Sequence, residues 1–329
     1  MTDPRNFALL GAAGYIAPRH LQAIKDTGNV LVAALDPKDS VGIIDRYFPN
    51  ADFFTEFERF DRHLEKLRRL GEMRRVHYVS IASPNYLHDA HVRFALRLNA
   101  DAICEKPLVL SPWNIDALAE YEEESGHRIW CVLQLRLHPA VIALRERVRK
   151  GKGRHRVDLT YITPRGKWYF VSWKGQHEKS GGVAMNIGVH FFDMLQWIFG
   201  APKRVSLHHR DERSVAGFLE LEHADVRWML SVDGNDLALA GRSGGTHRAL
   251  TIDGEEFEFS EGFGDLHTAV YREVLAGRGY GIADCKPSIE LVHGLDALPV
   301  IPVGDEAHPL LRAVAESRMN PSVAVTDRR

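Results

Sequence analysis

The chain has 329 residues, is 45% hydrophobic and 26% charged, and carries a formal net charge of −2. That is ordinary for a globular protein long enough for two domains, and it excludes a global field that would recruit nucleic acid or an anionic membrane. No run of about 18 apolar residues occurs, so no membrane partner is expected, and the short apolar run before Gly11 is no export signal. Cys104, Cys131 and Cys285 form no CxxC pair. Neither a disulfide framework nor a metal site is therefore expected, and a reducing, cytoplasmic setting suits them.

Over the first part of the chain, short apolar runs alternate with helical patterns. Phe7–Leu10 reads as a buried strand, followed by a Gly turn and a helix carrying Leu21 and Ile24. Leu31–Leu35 is a second strand, closed by Asp36-Pro37. Val76–Ala82 is a third, stopped by Ser83-Pro84-Asn85, with a helix from about His88 to Leu98. Ala102–Cys104 is a fourth, ending in Glu105-Lys106-Pro107. Ser111-Pro112 opens another helix as N-cap and first turn, and Ile129–Leu133 is a fifth strand. Such alternation predicts a parallel sheet covered on both faces.

After about Leu135 the rhythm changes. A helix over Ala140–Lys150 leads into longer strands at Arg156–Thr163, Arg204–His209, Val215–Leu221, Val226–Val232, Arg248–Ile252 and Glu256–Phe259. Asp253-Gly254 marks a hairpin between the last two. Helices are predicted at about Asn186–Phe199, Asp265–Leu275 and Pro287–Leu298. The fold class expected is α/β. Residues 1–134 form a dinucleotide-binding domain with a parallel sheet. Residues 135–319 form an α+β domain with a large, mostly antiparallel open sheet, and residues 320–329 a frayed tail.

Gly11-Ala12-Ala13-Gly14-Tyr15-Ile16 lies between the first strand and the first helix, where small residues let a pyrophosphate approach backbone N–H groups. The spacing is GxxGxxA, so its meaning comes from context. Asp36, at the end of the second strand, is placed to accept from ribose hydroxyls and to repel a 2′-phosphate, which favours NAD over NADP. Ser83, Asn85 and His88, and then Glu105 and Lys106, lie at the same carboxyl edge of the sheet. With Gly11, Ala13, Gly14, Tyr15, Ile16 and Asp36 they complete the candidate cofactor site.

Lys106 is also the first candidate for chemistry, because an ammonium at a strand end can stabilise a forming alkoxide. The second is His190. If the chain is helical from Asn186, then Asn186, His190 and Asp193 stand at i, i+4 and i+7 on one face. A neutral imidazole there titrates in the right range to take a hydroxyl proton. Since the chain holds 17 histidines, His190 gains its meaning from these neighbours. A third segment, Thr163–Gly175, offers Arg165, Lys167 and Lys174 with Trp168 and Tyr169. Cations of that kind suit phosphate or carboxylate, and aromatic faces suit a sugar or base. Arg136 and His138 are placed to join them.

Through the Gly11 loop, Glu105-Lys106-Pro107 and Gly181–Asp193, the chain resembles the Gfo/Idh/MocA oxidoreductases over nearly its whole length. Within that family it is most similar to the WlbA/WbpB-type dehydrogenases of bacterial O-antigen synthesis. The stretches that carry the likeness are GAAGYIAPRH (Gly11–His20), SPNYLH (Ser83–His88), ICEKPLV (Ile103–Val109), LTYITPRGKWY (Leu159–Tyr169), NIGVHFFDML (Asn186–Leu195) and EFSEGFGDLHT (Glu258–Thr268).

The resemblance implies a Rossmann domain followed by a substrate domain that also serves oligomerisation, with a tetramer as the expected assembly. It implies NAD-dependent oxidation of UDP-N-acetylglucosaminuronic acid at the sugar C3′, giving a 3-keto sugar for a later aminotransferase. It also implies 2-oxoglutarate as the second substrate where NADH is reoxidised in place, and whether NADH is released or recycled stays open. The position often held by Asp in the family is Asn186 here, and Asn cannot act as a base. Proton removal then falls to His190 assisted by Lys106, and which of the two is the base stays open. Two alternatives stand beside this reading: a family dehydrogenase acting on an unphosphorylated sugar or inositol, and a non-catalytic NAD(P)-binding regulator.

Overall fold

The computed structural model describes residues 4–259 and 265–319. The expected tail at 320–329, and residues 260–264 of the stretch Glu258–Thr268, lie outside the described residues. The chain divides into two compact units. The first runs to His138 and takes back a segment ending at Ile289, while the second starts at Pro139 and resumes at Glu290. This differs from a contiguous second domain over 135–319. The returning helix, Leu266–Leu275, packs Val270, Tyr271 and Val274 with Phe7, Leu9, Leu21, Ile24 and Trp130 of the first unit. An apolar helix face announces burial without naming the core that receives it.

In the first unit, β1 (Asn6–Leu10), β2 (Val30–Leu35), β3 (Asp52–Phe54), β4 (Tyr78–Ile81), β5 (Asp101–Cys104) and β6 (Ile129–Cys131) make a parallel sheet in the order β3-β2-β1-β4-β5-β6. Phe7, Ala8, Leu9 and Leu10 are all fully buried, as a central strand covered on both faces requires. The order reverses between β1 and β4, and at such a switch point the strand ends open a crevice for ligand. The sequence reading misses β3 and the helix Phe57–Arg69 behind it. β3 is a three-residue edge strand, and the helix buries only Phe60, Leu64 and Leu67 among charged residues.

In the second unit, β7 (His155–Ile162), β8 (Pro202–Arg210), β9 (Ser214–Leu221), β10 (Ala224–Ser231), β11 (His247–Ile252) and β12 (Glu255–Glu256) form a sheet in the order β12-β11-β7-β10-β9-β8. Every pairing is antiparallel except β10 with β7. Asp253 and Gly254 make the hairpin turn with φ of 55° and 89°, the left-handed pair that an Asp-Gly turn supplies. β12 is shorter than the predicted Glu256–Phe259. Gly217 is required in β9, because a Cβ there would fall 2.7 Å from the ring of the buried Trp228 on β10. Ala216 and Met229 are covered by Leu311 and Val314 of a helix, Leu311–Met319, that the sequence reading does not mark.

The helix predicted from Pro287 begins earlier, at Ile282, with Pro287 inside it. The three cysteines are buried thiols, and no helix among the described residues is long and apolar enough to cross a membrane.

Both units bury neutral imidazoles. Burial holds His91, bonded to Ser83 Oγ at 2.8 Å, at a pKa of about 4, and it holds His308, bonded to Thr160 Oγ1 at 3.0 Å, at about 4 as well. In the unfolded chain these rings titrate near ~6.5. Below that pH the unfolded state binds more protons than the folded one, so stability falls as pH drops from ~6.5 towards ~4, by about 1.4 kcal/mol per pH unit for each ring. Thermal melts should therefore show a flat Tm above pH ~7 and a loss of several degrees per unit below pH ~6. A Tm unchanged from pH ~7 to ~5 contradicts this.

Candidate active site

The candidate site starts at the end of β1. Gly11 has φ of 88°, and a Cβ there would meet the Ala82 carbonyl oxygen at 2.5 Å, so only glycine lets β1 pass the end of β4. Its N–H donates to the Leu35 carbonyl at 2.9 Å, and the Gly14 N–H closes a turn on the Gly11 carbonyl at 3.0 Å. The first helix, Ala17–Asp26, follows with Ile16 at its N-cap and Pro18 in its first turn. Proline there gives up an N–H that has no helical partner anyway. Ala13 is half-buried, and Tyr15 is 98% exposed.

Asp36 ties this loop to β2. Its Oδ2 accepts from the Ala13 N–H at 2.9 Å, and its Oδ1 accepts from the Lys38 N–H at 2.9 Å. A carboxylate has about four acceptor sites, so each oxygen keeps one for a ribose hydroxyl. The positive-φ glycine, the helix start and the aimed carboxylate at the switch point fit a dinucleotide.

The loops after β4 and β5 form the next layer. His88, fully buried, has Nδ1 2.7 Å from the Pro107 carbonyl and Nε2 2.8 Å from the Ser83 carbonyl. Burial lowers its pKa, against the pull of those two carbonyls. Both ring nitrogens thus face backbone carbonyls, and because a neutral imidazole carries one N–H, His88 donates to one of the two while its ring packs between the loops. Ser83 and Asn85 are buried beside it. The Lys106–Pro107 peptide bond is cis. Lys106 is half-buried, and burial lowers its pKa while Glu105 pulls it upward.

Glu105 is also turned into the protein. Its Oε1 sits 3.1 Å from His20 Nε2 and 2.9 Å from His267 Nε2. Burial pushes the carboxyl up, but the two imidazole donors prevail and hold it well below the usual range. The sequence reading misses His20, Ser80, His267 and Tyr271, which surround Glu105 from distant parts of the chain. Their sequence traces are that His20 closes the stretch Gly11–His20 and that His267 lies in Glu258–Thr268.

Arg136 is a further departure. Expected at the substrate, its buried guanidinium instead donates to Asp284 Oδ1 at 3.0 Å and to the Asp284 carbonyl at 2.8 Å, over the Tyr280 ring. His138 is buried nearby in sequence.

In the second unit the helix expected from Asn186 is irregular. Residues Ala184–Gly188 make a π turn before the α-helix Val189–Phe199 begins. The i, i+4, i+7 register is therefore broken ahead of His190, a distortion that recurs at functional sites. His190 and Asn186 are half-buried, while Asp193 is 3% exposed. Asn186 Nδ2 donates to Tyr169 Oη at 3.0 Å, and burial raises the phenol's pKa. The His190 ring lies 4.1 Å from Phe191 and edge-on to Tyr161 at 6.4 Å. Thr163–Gly175 contains two short helices, Lys167–Val171 and Trp173–Gly175. Arg165, Lys167 and Trp168 are exposed, Tyr169 is buried, and the Lys174 ammonium sits 4.1 Å over the Trp173 ring.

Residues 5–132 match the oxidoreductase family's NAD-binding Rossmann fold, and residues 155–240 match its C-terminal alpha/beta domain. Two structures of the WlbA (WbpB) dehydrogenase from Thermus thermophilus are 52% identical to this chain, covering 93% of it and 100% of theirs. One, in complex with NAD and alpha-ketoglutarate, superposes with a TM-score of 0.89. The other, in complex with NAD and UDP-GlcNAcA, gives 0.88. The oxidoreductase YteT of Bacillus subtilis is 28% identical over 169 residues, 50% of this chain. The matched stretch spans 38% of that curated relative. On these matches the chain belongs to the Gfo/Idh/MocA family of NAD-binding oxidoreductases.

Proposed function

We propose that this protein oxidises the C3′ hydroxyl of UDP-N-acetylglucosaminuronic acid to the 3-keto sugar, with NAD, as a step in bacterial O-antigen sugar synthesis. The observation that carries this reading is Lys106, half-buried at the end of β5 on the same carboxyl edge as the Gly11 loop and Asp36. The 52% identity to the Thermus dehydrogenase supports the choice of sugar.

Bound NAD supplies the acceptor for the hydride that leaves C3′. The Gly11–Ile16 loop and the start of the first helix would seat its pyrophosphate, and Asp36 would take the ribose hydroxyls. Ser83 and Asn85 shape the same edge. Lys106 stabilises the alkoxide as the C–H bond breaks, and His190 accepts the hydroxyl proton, so the products are the ketone, NADH and one proton. Asn186 and Asp193 orient the imidazole. Arg165, Lys167 and Lys174, with Trp168 and Tyr169, meet the two phosphates and the uronate. With NAD and 2-oxoglutarate bound, the keto acid would take the hydride and one proton to become 2-hydroxyglutarate and so return NAD, and the protein would work as a homotetramer.

NADH absorbance with UDP-N-acetylglucosaminuronate tests the chemistry. Lys106→Ala and His190→Asn should each lower kcat about a hundredfold or more; unchanged turnover in both sinks the assignment. Asp36→Ala should weaken NAD about tenfold by titration calorimetry, as expected for loss of charge-assisted ribose bonds, and narrow the preference over NADP. An unaltered preference removes Asp36 from the ribose.

A further inference from the structure

The network around Glu105 has one consistent proton arrangement. Glu105 is buried, with Oε2 accepting from the Lys106 N–H at 3.3 Å and Oε1 facing two imidazole nitrogens. An ionised carboxylate only accepts, so His20 Nε2 and His267 Nε2 both donate. In neutral His20 the other nitrogen, Nδ1, must then accept, and its partner is Tyr271 Oη at 2.7 Å. With its hydrogen committed to His20, the phenol oxygen accepts from Ser80 Oγ at 2.6 Å. Ser80, Tyr271 and His20 are fully buried, and His267 is 5% exposed. The two imidazoles meet edge-on, with centroids 5.3 Å apart at 77°. The direction of every donor in this chain follows from one negative charge.

That charge lies one peptide from Lys106. We infer that His20 and His267 are positioning residues. By fixing the Glu105 carboxylate in one place and one charge state, they fix the Lys106 backbone and the field at its ammonium. The inference rests on the role proposed above for Lys106 and deepens it. Glu105 is the anion that opposes the desolvation of Lys106. The titratable groups around the Glu105–Lys106 pair are His20 on the first helix, His88 on the helix after β4, and Cys104 on β5. Cys131 on β6 and His267 and Tyr271 on the returning helix stand with them among the described residues. Of these, the two imidazoles are bonded to the carboxylate.

The variants are His267→Leu, which removes a donor, His267→Gln, which keeps one, and His20→Gln. Each is checked for folding by melting and for NAD affinity by calorimetry, then assayed as full-length holoenzyme across pH. In His267→Leu, kcat should fall about tenfold, the KM for NAD should stay within about twofold, and the basic limb of the kcat profile should move to higher pH by about half a unit or more. Glu105 stays ionised there, and loss of the donor dipole that opposed its field raises the proton affinity of Lys106, which sets this sign. His267→Gln should recover most of the wild-type limb. His20→Gln, which keeps the donor to Glu105 but breaks the link to Tyr271, should fall between the two and carries the test if His267→Leu does not fold.

Folded variants with wild-type kcat and an unmoved limb overturn the inference. So does a tightly bound metal ion in the wild-type protein that His267→Leu loses, because the same three side chains, His20, Glu105 and His267, present ligand atoms within 4.8 Å of one another. Lys106→Ala separates the two readings. If that variant still turns over, the role of Lys106 fails; if it is inactive while the histidine variants keep the wild-type profile, the positioning role alone fails.

Discussion

One buried negative charge organises the first unit. Taking a carboxylate out of water is costly unless its lone pairs are met by donors. Glu105 meets that demand with His20 from the first helix, His267 from the returning helix and the N–H of its own neighbour. Tyr271 and Ser80 extend the arrangement to β4. A partly satisfied network of this kind is worse than an apolar core, so its members hold as a set or not at all. This gives the discontinuous architecture a physical reason. The segment that returns after the second unit brings the second imidazole and the phenol without which Glu105 would be under-satisfied, and Val270 and Val274 of the same helix seal it into the core.

The same edge of the sheet is built by backbone close approach. Gly11 lets β1 end against the Ala82–Ser83 peptide, and Asp36 then anchors the Ala13 N–H, so the loop is held from β4 on one side and β2 on the other. One strand further on, the His88 ring packs between the turn at Ser83 and the turn at Pro107, with one N–H to give to either carbonyl. The Gly11 loop, the Ser83 turn and the Lys106 segment are therefore linked through β4 and His88. A dinucleotide laid along this edge would meet a surface whose parts are already set by bonds among themselves, which is the condition for binding without reorganisation.

What the sequence discloses follows the range of each interaction. β1, the Gly loop and the first helix are legible because a buried strand, a glycine turn and a helical stripe are all local patterns. So are β5 and Lys106, and the Asp253-Gly254 hairpin. β3 is not, because three half-exposed residues carry no period. Phe57–Arg69 is obscured by its charge, its apolar stripe being one residue per turn. The π turn before His190 escapes a reading that assumes 3.6 residues per turn. His88, Glu105 and Arg136 are found as residues but misread in direction. A motif says that a side chain stands near a strand end, and only the fold says that its polar atoms face a carbonyl, two imidazoles or Asp284.

These differences of range also separate chemistry from recognition. Lys106 and its support sit in a buried lattice of bonds between elements up to 251 residues apart in sequence, the separation of His20 from Tyr271. Changing one member disturbs the others, so the lattice resists change. The cations and rings assigned to the nucleotide sugar stand instead on Thr163–Gly175, two short helices with Arg165, Lys167 and Trp168 exposed. Tyr169 is buried and bonded to Asn186, but exposed side chains such as Arg165, Lys167 and Trp168 lie on a surface segment of the kind that tolerates substitution. On the roles proposed, the reaction would rest on residues that are hard to replace and the choice of sugar on a more exposed segment. If those roles hold, a change of substrate would call for a new Thr163–Gly175 segment and would leave the buried carboxylate and its lysine where they are.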